Sequence, residues 1–176
     1  MAEMPVAIWL MVMCIAFPLI VLVTLSIRFG LFWLAAREAV QKAAQCQTYL
    51  VDPPASIGGQ SSVNTAQQVT MRACSSFGGI TLASPAEVYI IQMPVVVGEQ
   101  GRPAATSTPI GPNTKLTAPA DSENNIYQIQ VILKGQIAPL VSLPVAVLGP
   151  IPGLTTPFPV TVKAQQQVED VQSLNE

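Results

Sequence analysis

Residues 4–27 are 24 consecutive uncharged residues, and only Thr24 and Ser26 among them are conventionally polar. As a helix this run is about 36 Å long, enough to cross a hydrocarbon layer of about 30 Å with some tilt. A core helix of a water-soluble domain is seldom apolar on every face over such a length. A cleaved signal would carry basic residues ahead of a shorter run and small residues after it. Here Met1-Ala2-Glu3 precede the run and Ile27-Arg28-Phe29 close it, the pattern of an uncleaved anchor. Pro5 falls in the first turn, where its missing N–H is harmless. Pro18 lies mid-span and is expected to kink the helix or open it locally.

The helical pattern continues beyond Arg28. Phe29, Phe32, Ala36, Ala39, Ala43, Cys46 and Leu50 step by three and four, so residues 28–50 read as an amphipathic continuation of the same helix. Glu38 precedes Lys42 by four, the favourable order. The buried stripe is mostly alanine, which lets another element approach closely, and the continuation is expected to form the spine of the domain at 51–176.

Asp52-Pro53-Pro54 ends this helix. A shorter helix is expected at about 65–77, with Asn64 and Gln67 as a capping box and Gly78-Gly79 as its stop. Cys46 and Cys74 lie outside the span, and a bridge between them would close a loop of about 29 residues, stabilising by about 3–4 kcal/mol in the chain-entropy picture. Two unpaired buried thiols are the alternative. Cys14 falls within the span.

Strand signals follow at 86–97, 126–134 and 160–168. The first contains Pro94 and reads as an edge or bulged strand. The second alternates Tyr127, Ile129, Val131 and Leu133 against Gln128, Gln130 and Lys134; the third alternates Val160, Val162 and Ala164 against Thr161, Lys163 and Gln165. One-sided alternation means an antiparallel sheet with one wet face and one face on helices. The fold class is therefore α+β. Residues 98–125 read as a long exposed loop. Residues 135–162 carry no charge and six prolines, which excludes a second membrane helix. This connector reads as partly core, with a short strand at 145–148. Its functional alternative is a subunit contact or a rest on the membrane surface.

The chain has eight basic and ten acidic residues, a net charge of −2 and no histidine. No imidazole base, C-x-x-C, P-loop or dinucleotide fingerprint is present, and no basic, aromatic cluster suits nucleic acid. The expectation is a protein without enzymatic activity, cofactor, metal site or small-molecule substrate. Glu169-Asp170 read as a solvated tail. Glu3 stands at the head of the apolar run, where a carboxylate is costly in lipid unless paired. It reads either as a headgroup-level residue facing water or as the partner of a neighbouring copy's amino terminus.

Glu3, Pro18 and the passage "IRFGLFWLAAREAVQKAAQ" together resemble the TadE/TadG-like pilus-assembly proteins, relatives of type IV pilins, and "LTTPFPVTVKAQQQVED" resembles their final strand more loosely. The resemblance implies a pilin-like fold and a single-pass minor pilin or pseudopilin in the cytoplasmic (inner) membrane, its C-terminal domain periplasmic or extracellular. It implies other pilin-like subunits and assembly proteins as partners besides the lipid bilayer, and subunit alignment through Glu3. Processed members carry a short basic leader, whereas Met1-Ala2 alone precede Glu3 here, so the resemblance leaves processing open. Arg28, Arg37 and Lys42 after the span would by themselves place the domain in the cytoplasm; the sparse charge of the domain, the Cys46/Cys74 pair and the resemblance argue for export. A membrane-tethered exported binding module, using loops 98–125 and 135–162, is the second reading.

Overall fold

The computed structural model describes residues 3–53, 59–95, 107–141 and 149–175. Its first element is a single rod made of α1 (Glu3–Met11), a π-helical turn (Val12–Ala16) and α2 (Phe17–Ala44). From Met4 to Ala44 the rod has 41 residues, about 60 Å at the ordinary helical rise. The π turn has a local cause. Pro18 has no N–H to donate, and its ring would strike the Cys14 carbonyl in a regular helix. Phe17 instead donates its N–H to the Val12 carbonyl, the wider i→i−5 bond. The opening expected from Pro18 is thus a π turn, and the rod continues through it with helical dihedrals on both sides.

The helix ends at Ala44, six residues before the expected end at residue 50. Beyond it the chain turns inward to sink the Tyr49 ring into the core, fully buried, with its hydroxyl donating to the Val88 carbonyl at 2.9 Å. Burial pushes the Tyr49 phenol well above its usual pKa. The Ser62 hydroxyl, also buried, donates to the carbonyls of Ala43 and Thr48 (2.7 and 3.2 Å) and so stitches the end of α2 to the next helix. That helix, α3 (Ser62–Ser76), is capped by Ser61, whose hydroxyl accepts from the Asn64 N–H. The cap lies three residues earlier than the expected Asn64. Gln67 closes no capping box; its amide reaches the Ala86 carbonyl instead.

Among the described residues five strands follow: β1 (Ile80–Leu82), β2 (Glu87–Pro94), β3 (Thr108–Ile110), β4 (Asn125–Ile137) and β5 (Phe158–Gln167), all pairing antiparallel. The long β4 organises the sheet. One of its edges pairs with β5 from Gln128↔Gln167 to Ile137↔Phe158; the other is shared by β2 and, further along, β1. β2 is interior, between β4 and β3, and not the expected edge strand. Pro94 is tolerated because it is the last residue of the strand. β3 lies within the stretch expected to be loop.

α2, α3 and one sheet face enclose the core: Phe32, Ala36, Ala39, Val40 and Ala43 from α2, Val63 and Ala66 from α3, and Val88, Ile90, Ile129, Val131, Leu133, Val160, Val162 and Ala164 from the sheet. The predicted inward residues of β4 and β5 are the buried ones. The opposite face is less wet than the alternation implies, since Ile91 is buried and Tyr89, Gln128 and Gln130 are half-buried. The fold is α+β, a long N-terminal helix packed on a small, curled antiparallel sheet. Phe29, Cys46 and Leu50 fall off the buried stripe; Val21 and Ala35 join it. The expected strand at 145–148 lies outside the described residues.

Candidate functional site

The lower half of the rod presents apolar side chains to its surroundings on nearly every side. Ile8, Trp9, Met11, Ile15, Leu19, Leu22, Val23 and Ile27 are each more than half exposed, and the helix is long and apolar enough to cross a membrane. Its polar groups are closed internally: Thr24 Oγ1 donates to the Ile20 carbonyl and Ser26 Oγ to the Leu22 carbonyl, both at 2.9 Å. Neither hydroxyl then needs water, which lowers the cost of placing it in lipid.

Where the apolar run ends, the domain grips the rod. The Arg28 guanidinium donates through Nη1 to the Ala138 carbonyl at the end of β4, and Ala138 N–H in turn donates to the Gly79 carbonyl at 2.8 Å. Gly79 has φ +82°, and a Cβ there would lie 2.5 Å from the Arg28 guanidinium carbon. Only glycine combines that backbone with room for the guanidinium. Arg28 is therefore a fastener between rod and sheet as well as the first charge after the apolar run. About two and a half turns up, the Arg37 guanidinium sits 4.9 Å from the centre of the Trp33 ring.

Below Arg28 the chain between β4 and β5 lies against the rod. Gly153, with φ +86°, is so close to Leu25 that a Cβ would stand 3.1 Å from Leu25 Cδ1. A groove of about 380 Å³ between them is lined by Leu22, Leu25, Phe29, Ile137, Gly153 and Phe158. One turn below Leu25, Val21 is 1 % exposed. The rod's buried face thus begins inside the apolar run expected to lie in lipid. The signal for this contact was the charge-free, proline-rich stretch 135–162; what it touches depends on the fold.

Glu3 opens α1, and its side chain lies outside the described residues. The expected bridge is absent: Cys46 and Cys74 are free thiols. α2 and α3 form an antiparallel hairpin, which sets Cys46 beside the start of α3, its Sγ 3.4 Å from Thr65 Oγ1. Cys74 is nine residues further along α3, about 13 Å by helical rise, whereas a disulfide needs Cα atoms within about 7 Å. Burial raises the Cys74 thiol pKa, the environment of an inert packing residue. Cys14 is exposed on the π turn.

The α2/α3 hairpin bears an open groove of about 650 Å³ whose lining includes Glu38, Lys42, Thr65, Arg72 and Phe77. Its charges are mixed, and Glu38 and Lys42 pair with each other at 2.6 Å across the exposed surface. Glu169, expected in a solvated tail, accepts from the Gln45 amide at 3.3 Å, and Asp170 accepts from the Gln172 N–H at 3.0 Å to open the final 3₁₀ turn (Val171–Asn175). Among the described residues no group of three or more histidine, cysteine, aspartate or glutamate side chains could hold a metal. Compared with known proteins, the chain matches no family model, and no curated protein or solved structure shows significant similarity to it.

Proposed function

We propose that this chain is a non-catalytic structural subunit of an envelope appendage or secretion machine, anchored by one membrane span and assembled with pilin-like neighbours. One observation carries the reading: a single rod whose lower half is sheathed in exposed apolar side chains and whose upper half is the spine of an α+β domain. A tether that only held a domain at a membrane would not need its helix to be the core of that domain. A subunit that stacks through the span does, because force and register pass along one rigid element. In this reading the domain lies outside the cytoplasm, and Glu3 pairs with a neighbouring subunit's amino terminus at the base of the assembly. A carboxylate drawn into lipid is tolerated when such a partner is supplied.

Two measurements on the full chain test it. Alkaline phosphatase fused after Glu176 should be active in cells; an inactive phosphatase together with a fluorescent cytoplasmic reporter at the same place would reverse the orientation. Affinity purification through a C-terminal tag from membranes should bring down small single-span proteins, and Glu3→Ala should diminish them without lowering membrane insertion. Recovery of the same partners by Glu3→Ala would remove Glu3 from subunit alignment, and the absence of single-span partners would overturn the structural-subunit reading.

A further inference from the structure

The described part of the β4–β5 connector has four properties that belong together. It is apolar and exposed: Leu140, Val141, Ile151 and Phe158 are 52 %, 50 %, 42 % and 46 % exposed. It is uncharged, as no ionisable side chain occurs between Lys134 and Lys163. It lies beside the rod at the level of Leu22, Leu25 and Phe29. It also closes its own backbone N–H donors. The Ile151 N–H donates to Thr155 Oγ1 (2.7 Å), Gly153 N–H to the Thr156 carbonyl (2.7 Å), and the N–H groups of Leu154 and Thr155 to the Ile151 carbonyl (3.1 and 2.9 Å). Pro150, Pro152 and Pro157 have no N–H to satisfy.

From this placement we infer that the turn at 149–158, with Leu140 and Val141, is a second membrane contact: a foot set into the headgroup and upper acyl region of the leaflet on the domain's side. The inference rests on the membrane anchoring proposed above. If the hydrocarbon reaches Ile27, the turn beside Leu25 and Leu22 lies about 3–8 Å below that edge along the rod, a depth comparable with the roughly 5–10 Å at which interfacial segments settle. A turn whose N–H donors are closed internally suits this depth, since an unsatisfied N–H costs several kcal/mol where water is scarce, and its remaining carbonyls can accept from water in the headgroup layer. A protein partner would leave a different surface, with an apolar centre ringed by polar and charged groups. Here no charge is available on the connector, and Arg28, the cation at this level, is engaged with the Ala138 carbonyl. The foot would hold the domain at a fixed tilt over the bilayer, as a second point of support beside the span.

Tryptophan quenching by lipids brominated near the headgroup or near the chain end tests this on the full chain in single-copy nanodiscs. Three single-tryptophan proteins are compared. Trp33→Phe leaves Trp9 in the span; Ile151→Trp, with Trp9→Phe and Trp33→Phe, reports the foot; Val51→Trp in the same background reports the far end of the domain. The Ile151→Trp signal should fall by about twofold or more with shallow bromines, a depth characteristic of interfacial segments, and Val51→Trp should be unaffected. Leu140→Trp is a second reporter should Ile151→Trp fold poorly, and it should behave alike. Ile151→Trp and Leu140→Trp as unquenched as Val51→Trp, while Trp9 is quenched by deep bromines, would overturn the foot and leave the anchor standing. An unquenched Trp9 would overturn both. Quenching at residue 151 that disappears when discs hold two copies would overturn it in favour of a contact between copies.

Discussion

Gly135 shows how one residue sets the spacing between rod and sheet. It sits near the end of β4 opposite Val160, where a strand ordinarily gains from a side chain. A Cβ there would lie 2.8 Å from the Thr81 carbonyl oxygen and 2.9 Å from Phe32 Cζ. The missing methyl group is the space that the Phe32 ring occupies, and Phe32 is 1 % exposed. Gly135→Ala should therefore destabilise the domain by about 1–3 kcal/mol through overpacking, seen as a lower melting midpoint in detergent. Phe32→Leu in the same chain should recover part of the loss. If Gly135→Ala melts with the parent, the close approach of ring and strand is not a constraint. The glycine itself could be read in the sequence as an oddity in a strand; its partner could not, because residues 32 and 135 meet only across the folded core.

Among the elements, α3 is braced at its start by a carboxylate. Asp52 accepts from the Ser61 N–H and from the Asn64 side chain, each at 2.8 Å, and so braces the cap of α3 from nine residues upstream. The Ser61 N–H first, and Asn64 after it, hold the Asp52 carboxyl below its usual pKa of 3.8. Its lowered folded pKa makes this contribution present above about pH 4 and lost as pH falls through the folded value. Glu87, hydrogen-bonded to Lys134, and Asp121, hydrogen-bonded to Asn124, are lowered in the same direction. The melting midpoint should hold steady down to about pH 5 and decline below about pH 4. Asp52→Asn should lower it at neutral pH and flatten the acid decline in part, the other two carboxyls supplying the remainder. An unchanged acid profile for Asp52→Asn would exclude this brace. Hairpin direction, too, belongs to this scale. The spacing of Cys46 and Cys74 suits a staple on paper, but antiparallel packing puts them at different levels of the hairpin, and sequence distance carries no information about that.

At the scale of the whole molecule, one helix belongs to two environments. From Phe32 to Ala43 it shares a core with α3 and the sheet; below Val21 its described side chains are exposed except for the half-buried Ala16, Phe17 and Pro18. Stability should divide accordingly. On heating in detergent, amide hydrogen exchange of residues 32–44 should rise together with that of β4 and β5 in one cooperative step. Residues 6–16 should stay protected beyond it, because an apolar helix in a micelle keeps its internal hydrogen bonds without the domain. Simultaneous exchange along the whole rod would show that the lower half is held by the domain and not by its own surroundings.

What the amino-acid order determined alone was whatever periodicity and composition encode: an apolar rod, the alanine face above it, the inward residues of β4 and β5, and the α+β class. Such properties are local, since a helix repeats every 3.6 residues and a strand every two regardless of what they face. Tertiary structure decided the rest. It placed β2 inside the sheet despite Pro94, ended α2 at Ala44 so that Tyr49 could be buried, kept the two thiols apart and brought the charge-free connector down beside Leu25. Each of these outcomes depends on which surfaces meet, and contact between residues distant in the chain is settled by packing and hydrogen-bond closure in three dimensions.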